Sequence, residues 1–209
     1  MKEGKPKNAL NRWEKGLCMG AAEKRLSDFF FELGALKKVK RSGWWYCGVR
    51  DPETVAEHSF RTAAMAYFLA LEEGANPEHA LALGLVHDWL ETRLGDLNKV
   101  NARYLDTHAA DEKVVQDQAK ALGGKAGRAY LALAKEAIAC RTKEARVAKD
   151  ADLLERAFQA KEYQDLGCDI IPEWFSGVGK RLATKTARRL LKRLRKTKAS
   201  DWWRRVKKV

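Results

Sequence analysis

Apolar residues recur at three- and four-residue steps along most of this 209-residue chain, and no segment shows the alternation of a half-buried strand. Leu26, Phe29, Phe30 and Leu33 form one such stripe and predict a helix over residues 21–39. The first nineteen residues have no clear period and are expected to be loosely ordered. The pattern as a whole predicts an all-α fold.

Two dipeptides carry the signals of helix starts. Asp51-Pro52 and Asn76-Pro77 each place a capping side chain before a proline, which predicts helices over residues 51–73 and 76–94. Gly74 and Gly95 follow the two predicted ends. A very short connection makes the two helices antiparallel neighbours, so we expect side chains inside them to meet at their interface. Apolar spacing predicts four more helices, over residues 111–122, 126–139, 142–166 and 179–198.

Composition is that of a globular protein, with 45% hydrophobic and 33% charged residues. The first thirty residues mix charged and apolar positions, unlike a signal peptide, and no apolar run is long enough to span a membrane. The four cysteines, Cys18, Cys47, Cys140 and Cys168, lie far apart. This spacing favours a reducing, cytoplasmic environment and argues against a thiolate zinc site.

Charge is concentrated at the C-terminal end of the chain. Residues 177–209 contain fourteen Lys and Arg and one acid, Asp201, which gives +13, the formal net charge of the whole chain. The leucines of this segment form one stripe, which predicts a basic amphipathic helix docked on the domain. Its basic face, followed by Trp202 and Trp203, suggests weak, salt-sensitive binding of a polyanion such as nucleic acid, or of an anionic surface.

Histidines and acids occur inside the predicted helices, where burial is costly unless the groups are paired or bind a cation. His58 lies in the first of the two neighbouring helices, and His87 and Asp88 lie in the second. Asp152 lies in a later apolar helix, with Asp150 as an alternative. Two imidazoles and two carboxylates suit a divalent ion with open coordination positions, such as Mn, Co, Fe, Mg or Zn. Spacing alone also allows hydrogen-bonded core histidines and solvated acids.

Three segments resemble HD-domain phosphohydrolases, and most of all the 5′-deoxynucleotidase (YfbR-like) group: LKKVKRSGWWYCGVRDPETVAEHSFR, LALGLVHDWLETRLGD and KDADLLERAFQAKEY. The resemblance covers roughly residues 26–165. It implies an HD-domain helical bundle in which His58, His87, Asp88 and Asp152 hold the metal. It prefers Asp152 to Asp150 because an acid, here Glu155, follows the family's ligand by three residues.

The resemblance also implies roles for four further residues. Glu91 and Asp96 match the two acids of the family pattern HDxxExxxGD. Such acids suit proton transfer and the positioning of a water, and which one does which is left open. Arg41 and Trp44 match an Arg and a Trp that contact phosphate and sugar, with Trp45 as a rival for Trp44.

The sequence therefore predicts a metal-dependent phosphohydrolase that removes the 5′-phosphate from nucleoside monophosphates, particularly deoxyribonucleotides. One alternative is a nucleic-acid-binding protein with a vestigial HD core. Another is an HD enzyme that acts on nucleoside triphosphates or another phosphorylated metabolite. The expected organisation is an N-terminal extension (1–20), an HD domain (21–176) and a basic C-terminal helix and tail (177–209). The resemblance further implies a homodimer.

Overall fold

The computed structural model describes residues 10–169 and 173–207. These residues contain ten α-helices: α1 (Leu10–Gly34), α2 (Val55–Glu73), α3 (Pro77–Val86), α4 (Glu91–Leu94), α5 (Thr107–Leu122), α6 (Gly124–Ala139), α7 (Lys143–Asp165), α8 (Glu173–Arg181), α9 (Lys185–Leu194) and α10 (Asp201–Val206). Short 3₁₀ segments lie at Ala35–Lys37, Ser42–Cys47 and Asn101–Arg103. Over these same residues no strand forms, apart from an isolated bridge between Lys40 and Thr54. The predicted all-α fold is confirmed.

The main core lies where α2, α3 and α7 pack together. Leu83, Leu153 and Leu154 are fully or almost fully buried there, and α8 and α9 add apolar side chains to the same core. Gly84 lets α2 and α3 approach closely, because a Cβ at this position would lie 3.2 Å from the Ala63 Cα and the Ala66 Cβ. This contact lies three residues before His87, so it fixes the helix that leads into the predicted metal ligands.

A second core cluster joins α1, α5 and α6 around Phe29, Val115 and Tyr130. The Trp89 ring stacks on the Tyr130 ring, which connects this cluster to the segment after α3. No helix in the described ranges has both the length and the apolar character needed to cross a bilayer.

Two helix starts differ from the prediction. α1 begins at Leu10, inside the stretch expected to be loosely ordered, while residues 1–9 of that stretch lie outside the described residues. α2 begins after Thr54 and not at Asp51-Pro52, because Thr54 and Glu57 form a reciprocal capping box. Asp51 instead pairs with Lys40 on the surface. The bridge between Lys40 and Thr54 keeps the chain extended up to the cap.

The helix expected over residues 76–94 is interrupted, so His87 and Asp88 do not lie inside it. α3 ends at Val86, and the backbone then changes to bonds between residues three apart, as in Trp89 N–H to Val86 O (3.1 Å) and Glu91 N–H to Asp88 O (3.0 Å). The His87 Nδ1–H donates to Gly84 O (2.8 Å) at this point. Because this turn is tighter than an α-helical turn, the His87 and Asp88 side chains point in directions that differ from those in a continuous α-helix.

The predicted C-terminal helix over residues 179–198 is two helices, α8 and α9. Asp150 explains the break, because its carboxylate accepts the backbone N–H groups of Ala183 (2.8 Å) and Thr184 (2.7 Å). Thr184 then caps α9. Of the predicted leucine stripe, Leu191 and Leu194 are buried against the domain, whereas Leu190 is 38% exposed.

Candidate metal centre

His58 and His87 lie side by side, with their ring centroids 5.3 Å apart. His58 is fully buried on α2, and its Nδ1–H donates to Glu155. His87 donates from Nδ1 to a backbone carbonyl that can only accept. Each ring therefore keeps its Nε2 for another partner. Both Nε2 atoms are buried and have no hydrogen-bond partner.

Two carboxylates face these nitrogens. Asp88 Oδ2 lies 3.1 Å from His87 Nε2 and 3.6 Å from His58 Nε2. Asp152 Oδ1, on α7, lies 3.5 Å from His58 Nε2. We name these four residues the His-Asp cluster. Ligand atoms of His58, His87 and Asp88 all lie within 4.8 Å of one another, which is a spacing that one metal ion can bridge.

The donor set fits a divalent cation. Buried imidazole nitrogens without a partner are costly in a protein interior, and a cation beside two carboxylates satisfies them. An open arrangement of two imidazoles and two carboxylates is unlike a closed structural zinc site of thiolates. The chain therefore holds a group that can bind a divalent metal ion, whose identity the donors alone do not fix.

Charges around the cluster perturb its pKa values. Burial and the Arg41 guanidinium lower the pKa of His58, but the carboxylates of Asp152 and Glu155 outweigh them and raise it to about 9. Burial acts to raise the pKa of Asp88, and the neighbouring His87 and Arg41 overcome it and hold that pKa well below its usual range. A cation at His58 Nε2 thus competes with a proton.

Glu155 holds the His58 ring through its Nδ1, and Arg61 in turn holds Glu155. Glu155 is completely buried on α7 and accepts the His58 Nδ1–H. Arg61 donates to the other Glu155 oxygen (2.9 Å from Nε) and also to Glu162 (2.6 Å from Nη1). A carboxylate that holds the second ring nitrogen fixes the orientation and tautomer of a metal-binding histidine.

Two bases on the same face of α7, one turn before and one turn after it, hold Asp152. Lys149 Nζ lies 2.6 Å from Asp152 Oδ2, and Arg156 Nε lies 3.3 Å from Oδ1. Asp150 points elsewhere, to the start of α9, as described above. The structure thus brings Asp152, and not its neighbour, to His58.

Arg41 links the predicted catalytic acids to the cluster. Its Nη1 lies 2.7 Å from Asp96 Oδ1, 3.2 Å from Asp88 Oδ2 and 3.8 Å from Glu91 Oε1. Asp96 also accepts the Ser42 backbone N–H (2.7 Å) and hydroxyl (2.9 Å). Glu91, in contrast, has a buried Oε2 without a hydrogen-bond partner. Burial and the nearby Asp88 raise the pKa of Glu91 well above its usual range.

The two adjacent tryptophans lie in different environments. Trp44 is only 2% exposed; its Nε1–H donates to Glu53 (3.0 Å) and its ring packs edge-on against Tyr163. Trp45 is 53% exposed. Trp44 therefore fills the core beneath the loop that carries Arg41, and it is not part of the cleft wall described next.

A cleft of about 360 Å³ opens beside the His-Asp cluster. His87, Asp88, Glu91 and Asp152 line one part of it, and its other walls include Leu94, Leu97, His108, Asp111, Ile138 and Lys149. No sequence pattern places His108 and Asp111 here, because α5 reaches the cleft only through tertiary packing. Lys149 could have been found from its three-residue spacing to Asp152 on a helix.

Comparison with known proteins agrees with this geometry. A family model described as HD domain matches residues 33–195. The 5′-deoxynucleotidase HDDC2 of Bos taurus is 32% identical over 148 residues, which cover 70% of this chain and 72% of that protein. The Homo sapiens protein of the same name is 31% identical over the same length and coverage. A solved structure, a conserved hypothetical protein from Pyrococcus furiosus, superposes with a TM-score of 0.69 at 27% identity and covers 81% of this chain and 99% of its own. The resemblance seen in the sequence is confirmed, and the chain belongs to the HD-domain family, within the group that contains the 5′-deoxynucleotidases.

Proposed function

We propose that this protein is a metal-dependent phosphohydrolase that releases the 5′-phosphate of nucleoside monophosphates and prefers deoxyribonucleotides. The observation that carries the proposal is the pair of buried Nε2 atoms of His58 and His87, which have no partner and face Asp88 and Asp152. The relatives described above support the substrate class, because they are named 5′-deoxynucleotidases.

His58, His87, Asp88 and Asp152 would hold the ion, which we expect to be Mn, Co, Fe, Mg or Zn. A divalent ion bound there would supply Lewis-acid chemistry, by polarising the phosphoryl group and activating a water. Lys149 and Arg156 hold the Asp152 carboxylate in place, and Glu155 holds the His58 ring. These contacts position the proposed ligands.

We assign proton transfer to Glu91 and a positioning role to Asp96. Glu91 lines the cleft and keeps one buried oxygen without a partner, so that oxygen is available to a water or to the leaving 5′-oxygen. Both Asp96 oxygens are engaged by Arg41 and Ser42. Asp96 thus fastens the loop that carries Arg41 to the segment that carries Glu91.

Arg41 is our candidate for phosphate contact, because a guanidinium beside four carboxylates places donors for phosphate oxygens where the negative charge would otherwise repel them. The expected sugar contact by Trp44 stays a prediction. Its burial and its bond to Glu53 support an indirect role, in which Trp44 shapes the loop and Arg41 meets the nucleotide.

A nucleotide panel tests the proposal. Protein treated with a chelator is assayed for phosphate release from deoxynucleoside monophosphates, ribonucleoside monophosphates and deoxynucleoside triphosphates, each with Mn, Co, Fe, Mg or Zn. We expect release that requires added metal and is fastest with deoxynucleoside monophosphates. Faster release from triphosphates would assign the enzyme to another substrate class, and no release from any nucleotide would favour a vestigial site.

We further propose a homodimer. Phe60, Phe68 and Leu71 are exposed at helical spacing on α2 and form an apolar face that a second copy can cover. Analytical ultracentrifugation of wild type and of the Phe60→Ser/Phe68→Ser variant tests this pairing. We expect a dimer that the variant weakens; a wild-type monomer at all concentrations would contradict it.

We place the enzyme in the cytoplasm. Cys47, Cys140 and Cys168 are free thiols, as expected in a reducing compartment. Fractionation of cells that produce the protein tests the location, and recovery from an oxidising compartment would contradict it.

A further inference from the structure

We propose that the C-terminal segment binds reversibly to anionic phospholipid surfaces and so holds the enzyme at a membrane without crossing it. The segment comprises α9, α10, the residues between them and Lys207, and we name it the basic segment (Lys185–Lys207). This binding is independent of the catalytic proposal, and its tests do not depend on activity.

The first observation is a face of free positive charge on α9. At 100° per residue, the five bases of this helix cover an arc of about 140°. All five are exposed: Lys185, Arg188, Arg189, Lys192 and Arg193. Among the described residues, no carboxylate lies within ion-pair distance of any of them. Arg188 donates to the Leu182 carbonyl and Arg189 to the Thr186 hydroxyl, but these neutral acceptors do not cancel the positive charge. The charge of this face is therefore available to an external partner.

The second observation is that α9 is fixed with this face outward. Ala187, Leu191 and Leu194 are buried on the opposite side, where α9 packs on α2 and α7. The Thr186 backbone N–H donates to Glu73 Oε1 (2.7 Å), and Thr184 caps the helix. Because α9 is already fixed in this orientation, little conformational entropy is lost when its basic face binds a flat anionic surface.

The third observation is an exposed apolar arc on α10. Trp202, Val206 and Trp203 are 62%, 65% and 50% exposed. They fall within an arc of about 100°, and Lys207 and Arg205 border the two edges of that arc. An apolar arc rich in tryptophan and bordered by bases is the arrangement of helices that lie in the headgroup region of a bilayer.

The connection between α9 and α10 is anchored to the end of α7. The Ala199 backbone N–H donates to Asp165 Oδ2 (2.7 Å) at the end of α7. Leu166, the next residue along α7's end, is 81% exposed. The connection that precedes α10 is therefore fastened next to an exposed apolar residue.

These features favour lipid over single-stranded nucleic acid. Bases stack on open aromatic faces, but Lys207 Nζ lies 4.8 Å from the centre of the Trp203 ring and covers one of them. Val206, between the two tryptophans on the arc, cannot stack on a base at all. Both features are compatible with insertion among lipid headgroups.

Vesicle co-sedimentation of the full chain tests the proposal. One set of vesicles is phosphatidylcholine alone, and in the other about one-third of the lipid is phosphatidylserine. We expect binding to the acidic vesicles only, and a loss of about tenfold or more in affinity between roughly 0.05 and 0.5 M salt.

Matched variants separate the two contributions. Trp202→Ala/Trp203→Ala and Lys192→Gln/Arg193→Gln/Arg204→Gln/Arg205→Gln should each weaken vesicle binding by about tenfold or more. The controls remove exposed residues elsewhere: Phe30→Ala/Phe31→Ala on α1, and Lys113→Gln/Lys125→Gln on α5 and α6. We expect both controls to bind within about twofold of wild type.

Three results would overturn the proposal. One is equal binding to neutral and acidic vesicles, and another is an equal loss in the tryptophan variant and its aromatic control. The third is binding of a fluorescent single-stranded oligodeoxynucleotide that depends on Trp202 and Trp203 while acidic vesicles do not bind, which would assign the surface to nucleic acid.

Discussion

Two clusters of buried polar side chains lie on either side of the Trp89 segment, and they differ in how their hydrogen-bonding groups are satisfied. In the first, which we name the Gln118 cluster, the fully buried Gln118 amide donates to Glu32 (2.8 Å), Thr92 (3.0 Å) and the Trp89 carbonyl (3.2 Å). The Gln118 amide oxygen accepts a hydrogen bond from the Tyr130 hydroxyl. None of these side-chain atoms is left without a partner.

In the His-Asp cluster and beside it, by contrast, several buried polar atoms are unsatisfied. His58 Nε2, His87 Nε2 and the adjacent Glu91 Oε2 are buried and have no hydrogen-bond partner. A network that satisfies itself stabilises the fold, whereas one that leaves several convergent atoms unsatisfied reserves them for a ligand. The contrast explains why one buried histidine-acid group is a candidate metal centre and the other polar group is structural.

The largest expected effect is loss of activity in His87→Ala. Removing Nε2 deletes a proposed ligand, so phosphate release from deoxynucleoside monophosphates should fall to background. The unfolding free energy should change little, because His87 makes a single backbone hydrogen bond and is partly exposed. Release within about twofold of the wild-type rate would show that this cluster does not perform the chemistry.

Glu155→Gln should weaken metal binding by about 10- to 100-fold, because the carboxamide holds the His58 Nδ1–H less strongly than a carboxylate does. Glu162→Gln is the matched control, since Glu162 contacts the same Arg61 but not His58. Calorimetric titration of chelator-treated protein measures both. Equal affinities in the two variants would remove Glu155 from the positioning role.

Gln118→Ala should lower stability and leave metal binding unchanged, which is the reverse of what we expect for His87→Ala. It leaves the Tyr130 hydroxyl and the Thr92 region without their buried partner, so the unfolding free energy should fall by about 1–3 kcal/mol. Metal affinity should stay at the wild-type value. Denaturant unfolding measures the change in stability, and metal titration measures the affinity. A loss of metal affinity at unchanged stability would contradict the distinction between the two clusters.

The smallest expected effect is in the pH dependence of stability. Burial and the neighbouring Glu155, opposed by His58 and Arg41, raise the pKa of Glu53 to about 7. The folded state then binds more protons than the unfolded state between the ordinary glutamate pKa and about 7, so this group's contribution to stability is lost as pH rises through that window.

Glu53→Gln removes that contribution. Relative to wild type, the metal-free variant should gain on the order of 1 kcal/mol of unfolding free energy between about pH 5 and pH 7. Asp51→Asn, at an exposed position nearby, is the control. A wild-type-minus-variant difference that does not change with pH would contradict the raised pKa.

The sequence predicted the all-α fold because helix formation depends on local pattern, and the candidate ligand set came from the family resemblance. Apolar spacing places His58 in α2, and the family pattern selects Asp152. What it missed depends on contacts between distant segments. Asp150 lies in the same apolar helix as Asp152, but its role is set by the backbone N–H groups of Ala183 and Thr184, more than thirty residues away.

The two tryptophans and the break after α3 show the same limit. Trp44 and Trp45 are adjacent and chemically identical, so only the position of Tyr163 and Glu53 decides which one is buried. The end of α3 at Val86 depends on a side-chain bond from His87 to Gly84 and on close packing against α2, neither of which apolar periodicity reports.

The most direct test of the central claim is equilibrium titration of a divalent metal into chelator-treated wild type, His87→Ala, Asp88→Ala and Gln118→Ala proteins. The His-Asp cluster as metal centre predicts saturable binding by wild type and Gln118→Ala, and loss of that binding in His87→Ala and Asp88→Ala. Equal binding by all four proteins would contradict it.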